Sequence, residues 1–298
     1  MEEWSSKGSQ SDASDAQGYL DLPSTSTNRR NVFLSVPVAP DSRFYAMNGE
    51  KRGKVLIFNQ MGFDDWRNYT YRFGSEQDVA KLYDTLPNLG FLEEDIFSYH
   101  DLTAEQIQGT ARRLAVDPTL IDCDCLITVI LTHGENDDLV MAKDTSYHLY
   151  EFIENFTPSA LPSMAGKPKL FIVNACRGEL LDDGSSFLHF RSRTDLLDTR
   201  GNVEIFSYPE FADFLIVMSS HHGHFSFRNE QGSWLIQEFC NVLNNCRVEQ
   251  DSIYDILTET NLAVSTRIAD SNDSALVGKK QISSFYSTLT RRLYFARR

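Results

Sequence analysis

Short, mostly apolar runs of residues recur along the chain and predict strands. Four such runs lie at 55–58, 126–131, 170–173 and 214–218. A strand that is covered on both faces contains Val, Ile and Leu without polar interruptions, and such strands are typical of parallel sheets. The four runs therefore predict the buried strands of a mostly parallel sheet.

Between these runs, the apolar positions take the spacing of amphipathic helices. Ser75 with Asp78 and Thr103 with Gln106 have the three-residue spacing of a capping box, which marks a helix start. The stretch at 289–295, near the end of the chain, predicts an edge strand. Alternating buried strands and amphipathic helices favour an α/β sandwich. The predicted helices lie at 79–86, 107–114, 147–156 and 234–243, and another begins at 252.

Two segments lack a periodic pattern. Residues 1–31 include seven serines and almost no aliphatic side chains, so they cannot bury enough apolar surface to offset the entropy of ordering. Residues 180–207 are rich in Asp, Ser, Arg and Thr, and a patternless loop of that length is usually functional or disordered. We therefore expect a disordered head and a long mobile loop between two structured segments.

Composition and charge exclude several classes of function. The chain has 298 residues with 28 basic and 42 acidic side chains and a net charge of -14, so nucleic acid and anionic membranes are poor partners. It lacks both a secretory signal and the apolar run of roughly 18–20 residues that a membrane helix needs. Its five cysteines predict reduced thiols in the cytoplasm, and Cys123 and Cys125 are too close together to be paired zinc ligands. We expect no metal and no other cofactor.

Candidate chemistry stands at the ends of two central strands. The segments 131–135 (Leu-Thr-His-Gly-Glu) and 174–178 (Asn-Ala-Cys-Arg-Gly) place His133 and Cys176 just beyond those strands. Ligands of open parallel sheets bind outside the carboxyl ends of the strands. Either residue alone could be structural, since a lone Cys is usually a buried small hydrophobe. Together they fit a thiol nucleophile with an imidazole base, and the neighbouring glycines suit an oxyanion hole.

These two segments resemble the histidine and cysteine motifs of the caspases. The resemblance extends from about residue 48 to the C-terminus and includes motifs at 72–75, 166–170, 227–229, 232–234 and 280–295. It implies a caspase-like sandwich, in which a mostly parallel six-stranded sheet lies between helices and is built from a large and a small segment. It also implies a cysteine protease that cleaves after aspartate through an acyl-enzyme.

The resemblance implies a role in the reaction for each matching residue. Cys176 would be the nucleophile, and His133 would be the general base and acid of a Cys/His dyad. The backbone N–H groups of Gly134 and Cys176 would form the oxyanion hole. Thr70 falls where some relatives offer a main-chain carbonyl to the histidine.

Substrate binding is implied for a second group of residues. Arg72 and Arg228 correspond to the arginines that hold the substrate aspartate, and a guanidinium pairs well with a carboxylate while keeping its charge. Phe227 and Trp234 match aromatic positions that shape neighbouring subsites, although Trp234 alone could be a core residue. Asn174 stands where usual caspases carry Gln and is one methylene shorter. We expect a hydrogen bond of about 1.5–3 kcal/mol to the substrate carboxylate to be weakened or lost there.

The same resemblance divides the chain into the parts of a zymogen. A head that is too short for a helical recruitment domain favours an executioner caspase, similar to those of insects, over an initiator. Such caspases form dimers in which each half comprises a large and a small chain. The expected parts are a short disordered prodomain (1–43), a large segment (44–198), a small segment (199–298) and a mobile linker at about 180–207.

Two aspartates are predicted sites of proteolytic activation. Asp198 follows Asp195 with the spacing that executioner caspases prefer, and Asp15 follows Asp12 in the same way. Both pairs lie in stretches that we expect to be flexible enough to enter the active site of a protease. A cut after Asp15 would expose Ala16, which resembles the N-terminal alanine that inhibitor-of-apoptosis proteins bind in some insect caspases.

We therefore expect an endopeptidase that cleaves proteins with an exposed aspartate, in apoptosis or related proteolytic signalling. One alternative is a weak or inactive caspase relative that regulates an active caspase by dimerisation, because Asn174 and the loop at 136–138 depart from the family pattern. A cysteine peptidase specific for basic residues would need an acidic pocket in place of Arg72 and Arg228. A purely structural module would leave the paired strand-end motifs unexplained.

Overall fold

Six strands form the central sheet of the computed structural model, which describes residues 37–39, 41–64, 69–178, 180–182, 209–270 and 274–295. Five of these strands run parallel and one edge strand is antiparallel. Across the sheet they are β10 (Ser284–Ser287), β7 (Phe214–Met218), β6 (Lys169–Asn174), β3 (Cys123–Leu131), β1 (Lys51–Asn59) and β2 (Ile96–His100). The prediction of a mostly parallel six-stranded sheet with four buried strands is confirmed.

Two short antiparallel hairpins, five α-helices and several 3₁₀ turns complete the described secondary structure. The hairpins pair β4 (Leu139–Met141) with β5 (Ser146–His148) and β8 (Arg228–Asn229) with β9 (Gly232–Ser233). The helices are α1 (Ser75–Thr85), α2 (Ala104–Leu114), α3 (Leu149–Ile153), α4 (Trp234–Asn245) and α5 (Ile253–Thr266). The first hairpin follows β3, and the second leads directly into α4.

Helices cover both faces of the sheet. Buried residues of α1, α4 and α5 share one apolar cluster with Val55 and Ile57 of β1. Buried residues of α2 and α3 share another cluster with Leu56 and Phe58. Successive strand residues point to opposite faces, so β1 is apolar at every one of these positions because each face has its own helical layer.

Both predicted helix starts are confirmed, but only the second has the predicted capping box. The hydroxyl of Thr103 accepts from the backbone N–H of Gln106, whose side chain accepts from the N–H of Thr103, which is a complete capping box. At α1 the N-cap position is instead Gly74, with a left-handed φ of 84°. The side chains of Ser75 and Asp78 bind residues outside the helix. Although these two residues have the spacing of a capping box, their side chains form tertiary hydrogen bonds instead of capping the helix.

The edge strand predicted at 289–295 is wrong. The antiparallel edge is β10, which lies just before that stretch. Leu293 and Phe295 are buried in the cluster beneath α1, α4 and α5, so their apolar character reflects packing and not sheet pairing. The opposite edge, β2, was not predicted, because its central residues are only partly buried and mix Phe, Ser and Tyr. The helix predicted at 147–156 is limited to α3 and a following 3₁₀ turn (Glu154–Phe156).

The predicted head and most of the predicted linker lie outside the described residues, as do Asp15, Ala16 and Asp198. In the part of the chain that the structure describes, no helix is long and apolar enough to cross a membrane.

Candidate active site

Two neighbouring parallel strands bring His133 and Cys176 to the same edge of the sheet. In the register of β3 and β6, Leu131 lies opposite Asn174. His133 and Cys176 each follow two residues later, beyond the carboxyl ends of their strands. Adjacent strands lie about 4.8 Å apart, so the two loops leave the sheet side by side. The sequence-based juxtaposition of these two residues therefore follows from the strand pairing.

Gly134 allows the histidine loop to approach the cysteine backbone closely. A Cβ atom at this position would lie 2.3 Å from the carbonyl oxygen of Cys176 and 3.0 Å from the Cβ of Ala175. No side chain fits at the first of these distances, so the residue has to be glycine for the two loops to touch.

The ring of His133 is held by a backbone carbonyl and by two aromatic side chains. Its Nε2 lies 2.8 Å from the carbonyl oxygen of Thr70, the contact that the family resemblance implied. The ring of Tyr69 stacks on the imidazole with centroids 5.2 Å apart, and Phe63 lies 5.0 Å away. The hydroxyl of Tyr69 in turn donates to the carboxylate of Glu135. Sequence reasoning did not identify this aromatic support.

The hydrogen bond to Thr70 determines which nitrogen of His133 can act as a base. A carbonyl oxygen only accepts, so Nε2 carries the proton and Nδ1 keeps its lone pair. Burial lowers the pKa of His133 to about 4, against an opposing contribution from the hydrogen bond to Thr70. The imidazole is therefore neutral at pH 7 and is able to accept a proton at Nδ1.

Cys176 is partly buried and is a thiol, not a thiolate, at rest. Burial raises the pKa of its side chain, against the opposing effects of Ser226, Arg72 and Arg228. The backbone N–H of Ser226 donates to Sγ at 3.5 Å. A neutral thiol beside a neutral imidazole has to transfer its proton as it attacks, which is how a general base activates a nucleophile.

The loop at 136–138, which departs from the family pattern, is tied to the cysteine segment. Asp138 accepts from Nε of Arg177 at 2.9 Å and lies 2.7 Å from Nη2 of the same guanidinium. Both partners are mostly shielded from solvent. The altered loop is thus anchored one residue after the candidate nucleophile.

Arg72 presents a buried guanidinium with unused donors. Its side chain is fully buried, and Nη1 donates to the carbonyl of Gln60 and to Ser75 Oγ at 3.0 and 2.9 Å. Within the described residues, its Nε and Nη2 have no hydrogen-bond partner. Burial, followed by the charge of Arg228, lowers the pKa of Arg72 to about 9, so it stays cationic at pH 7. A ligand with two acceptor oxygens would satisfy these donors, and a carboxylate has that geometry.

Arg228 belongs to the hairpin that faces Arg72. Its Nε donates to the carbonyl oxygen of Phe73 at 2.9 Å, which links β8 to the residue after Arg72. Burial lowers the pKa of Arg228, and each arginine influences the titration of Cys176. Two guanidinium groups thus lie near the candidate nucleophile, on segments that are 155 residues apart in the chain.

The amide of Asn174 is engaged inside the protein. Its Nδ2 donates to Ser233 Oγ at 2.7 Å, and the Ser233 hydroxyl donates to the carboxylate of Asp78. The Asn174 side chain is almost fully buried. Sequence reasoning missed Asp78 and Ser233, although an acidic residue on the same helical face as Val79 and Leu82 was a detectable anomaly.

Phe227 and Trp234 lie together at the wall of a cavity. Their rings stack with centroids 4.8 Å apart and an interplanar angle of 29°. The cavity has a volume of about 340 Å³ and is also lined by Arg228 and Arg267. The guanidinium of Arg267 lies 5.0 Å from the Trp234 ring. Trp234 is buried and lines the cavity, so the core and subsite interpretations of this residue are compatible.

Among the described residues, no group of three or more His, Cys, Asp or Glu side chains could hold a metal ion.

Comparisons with known proteins identify a matching family model, similar sequences and a similar fold. The family model of the caspase domain matches residues 52–294. Caspase-1 of Spodoptera frugiperda is 35% identical over 281 residues, covering 93% of this chain and 89% of its own length. Caspase-7 of Gallus gallus is 34% identical over 253 residues, covering 84% and 79%. The crystal structure of caspase-1 from Spodoptera frugiperda superimposes with a TM-score of 0.78 and 33% identity, covering 89% of this chain and 98% of that chain.

Proposed function

This chain belongs to the caspase family of aspartate-specific cysteine proteases, and we propose on that basis that it is an executioner-type endopeptidase acting in apoptosis or related proteolytic signalling. The observation that carries the proposal is the fully buried Arg72, whose Nε and Nη2 have no partner within the described residues. Such a group is costly to bury unless a ligand completes its hydrogen bonds. An aspartate carboxylate near Cys176 meets that requirement.

The proposed reaction begins when His133 Nδ1 takes the proton of the Cys176 thiol. The sulfur attacks the scissile carbonyl carbon, and the backbone N–H groups of Gly134 and Cys176 stabilise the oxyanion. The imidazolium then gives its proton to the leaving amine as the C–N bond breaks, which leaves a thioester on Cys176. Water, deprotonated by His133, hydrolyses the thioester and restores the thiol.

Recognition of the substrate is assigned to the two arginines and the aromatic pair. Arg72 and Arg228 would hold the substrate aspartate, while Phe227 and Trp234 would shape the adjoining subsites. The cavity beside Arg228 has room for a further side chain of a bound peptide. Asn174 would contribute less than a Gln, because it is one methylene shorter and one of its two Nδ2 donors already binds Ser233.

Activation is proposed to follow the zymogen pattern of the family. A cut after Asp198 would separate the large segment (44–198) from the small one (199–298), and a cut after Asp15 would remove a short prodomain. The mature form would be a dimer of large and small chains that acts on proteins in the cytoplasm. A new N-terminus at Ala16 is the proposed contact for inhibitor-of-apoptosis proteins.

A second candidate function is that of a weakly active or inactive relative, which regulates an active caspase by dimerisation. The observation that favours it is the bond between Asn174 and Ser233, because it engages one of the two amide N–H donors inside the protein. Intact Cys176, His133, Arg72 and Arg228 oppose this function.

Hydrolysis of a fluorogenic Asp-Glu-Val-Asp peptide by the recombinant protein tests the proposal. We expect turnover by the wild type and by Cys246→Ala, the matched thiol control, and none by Cys176→Ala. The Asn counterpart of the peptide, Asp-Glu-Val-Asn, should not be cleaved. If the wild type is inactive even after the chain is cut at Asp198, and Asn174→Gln does not restore turnover, the regulatory function becomes the better explanation.

A further inference from the structure

Asp78 is a fully buried carboxylate on α1, and its hydrogen-bond partner is Ser233, far away in the sequence. Its Oδ1 accepts from the backbone N–H of Ser233 at 2.7 Å, and its Oδ2 accepts from the Ser233 hydroxyl. Ser233 belongs to β9, at a separation of 155 residues. One carboxylate thus joins the first half of the chain to the hairpin β8–β9.

The two residues of this contact stand next to the two arginines. Asp78 is in the first turns of the helix that follows Arg72, and Ser233 is the cross-strand partner of Arg228 in the hairpin. The hydrogen bond from Arg228 Nε to the carbonyl of Phe73 is a second link between the hairpin and the segment that precedes α1. The relative position of the two guanidinium groups therefore depends on how the hairpin is held against α1.

The backbone around this contact is shaped to admit the carboxylate. Gly232 has a left-handed φ of 110°, and a Cβ atom there would lie 2.3 Å from Asp78 Oδ1. Gly74, with φ of 84°, lets the backbone of the α1 start lie against the carbonyl of Asn229, which a Cβ would approach to 2.3 Å. Glycine is required on both sides of the contact, so the interface between helix and hairpin is tightly fitted.

We propose that Asp78 is a positioning residue for aspartate recognition: acting through Ser233, its negative charge holds the Arg228 hairpin against the Arg72 segment and balances the charges of buried Arg72 and partly buried Arg228. The proposal rests on the proposed function. Asp78 would thus increase the affinity for substrate by positioning the two arginines, and it would not touch the substrate itself.

The charges around Asp78 come from three packed elements. Arg72 precedes α1, Arg228 lies in β8, and Cys240 on α4 faces it as a thiol whose pKa burial raises to about 12. Burial raises the pKa of Asp78 to about 6, against opposing effects of the bonds from Ser233 and of both arginines. Above pH 6 the carboxylate is ionised and the counter-charge is present. As the pH falls through 6 the carboxyl becomes protonated, so the affinity for aspartate should fall.

This dependence is separable from the titration of the catalytic base. Because the pKa of His133 is about 4, the imidazole stays neutral throughout the titration of Asp78. The ordinary pKa of a substrate aspartate is about 3.9, and it is the same for every variant. An acid limb of kcat/KM near pH 6 is therefore assigned to Asp78.

Steady-state kinetics of the full-length enzyme from about pH 5 to about pH 8 test the proposal. For Asp78→Asn we expect KM for the aspartyl peptide to rise roughly tenfold at neutral pH, kcat to change by less than about twofold, and the acid limb near pH 6 to disappear. The control is Asp84→Asn, the same change at an exposed position of α1, which should behave as wild type. Unchanged KM in Asp78→Asn, or an acid limb that persists, overturns the proposal.

Ser233→Ala is a second variant that keeps the test decisive if Asp78→Asn does not fold. The hydrogen bonds from Ser233 lower the pKa of Asp78, so losing the hydroxyl should move the acid limb to higher pH. A limb that does not move also overturns the proposal. An enzyme that hydrolyses no aspartyl peptide at any pH contradicts the proposed function instead, which distinguishes the two failures.

Discussion

The imidazole of His133 donates from Nε2 to the carbonyl oxygen of Thr70 over 2.8 Å. This bond leaves Nδ1 as the basic nitrogen, and burial lowers the pKa of the ring to about 4. The thiol of Cys176 has its pKa raised by burial. The resting pair is therefore a neutral imidazole and a neutral thiol, not an ion pair.

Alkylation of Cys176 by iodoacetamide should reveal this neutral pair. In an uncut chain carrying Asp198→Ala, we expect the rate to rise with pH up to and beyond the ordinary thiol pKa of about 8.5, because the thiolate is the reactive form. Mass spectrometry of the labelled Cys176 peptide measures the rate, with Cys176→Ala as the blank. A rate that levels off below pH 7 would indicate a thiolate–imidazolium pair and contradict the prediction.

Replacing Arg72 should weaken recognition of the substrate aspartate. Arg72→Lys keeps a positive charge but loses the planar fork that binds both carboxylate oxygens. We expect kcat/KM for an aspartyl peptide to fall by roughly 10- to 100-fold, which corresponds to the loss of one charge-assisted hydrogen bond. Kinetics with the aspartyl peptide measure the effect, and Arg112→Lys, at an exposed position of α2, is the matched control. An equal loss in both variants would remove the special role of Arg72.

Gly134→Ala should inactivate and destabilise the enzyme together. The new methyl group would have to displace the carbonyl of Cys176, and such overpacking costs about 1–3 kcal/mol. We also expect kcat to fall by about 100-fold or more, because the displaced backbone carries the proposed oxyanion donors. Urea unfolding and peptide hydrolysis measure the two effects.

The control for that substitution is Gly109→Ala in α2. Its nearest neighbour is the far end of the Arg113 side chain at 3.8 Å, so the methyl group fits. Alanine has the higher helix propensity, and we expect stabilisation of about 0.5–1 kcal/mol with unchanged kcat. If both variants lost stability to the same extent, the close approach at Gly134 would not be the cause.

The end of the chain should contribute strongly to stability. Phe295 is almost fully buried in the cluster beneath α1, α4 and α5, so Phe295→Ala should cost about 3–5 kcal/mol in the free energy of unfolding. Phe44→Ala, at a half-exposed ring, should cost less than about 1 kcal/mol. Chemical denaturation of the two variants compares them, and a cost for Phe295→Ala close to that for Phe44→Ala would show that the C-terminal segment does not belong to the core.

The sequence by itself determined the buried strands and the location of the candidate site. Four mostly apolar runs could be recognised locally because these four strands, unlike the edge strands, are buried on both faces. The positions of His133 and Cys176 beyond two such runs, together with the family motifs, predicted that they would meet. The edge strands were harder to predict, because β2 is only partly buried and because Leu293 and Phe295 of the 289–295 stretch pack into the core.

Only the tertiary structure decided the partners of the buried polar groups. Asp78 and Ser75 have the spacing of a helix cap, yet Asp78 binds Ser233, at a separation of 155 residues, and Ser75 binds Arg72 and Asn59. Asn174 lacks one methylene of Gln, and the fold directs its amide to Ser233. The spacing of apolar residues indicates which face of a helix or strand is buried, because this pattern lies within the element itself. The hydrogen bonds that complete a buried charge depend on which distant segments the fold brings together.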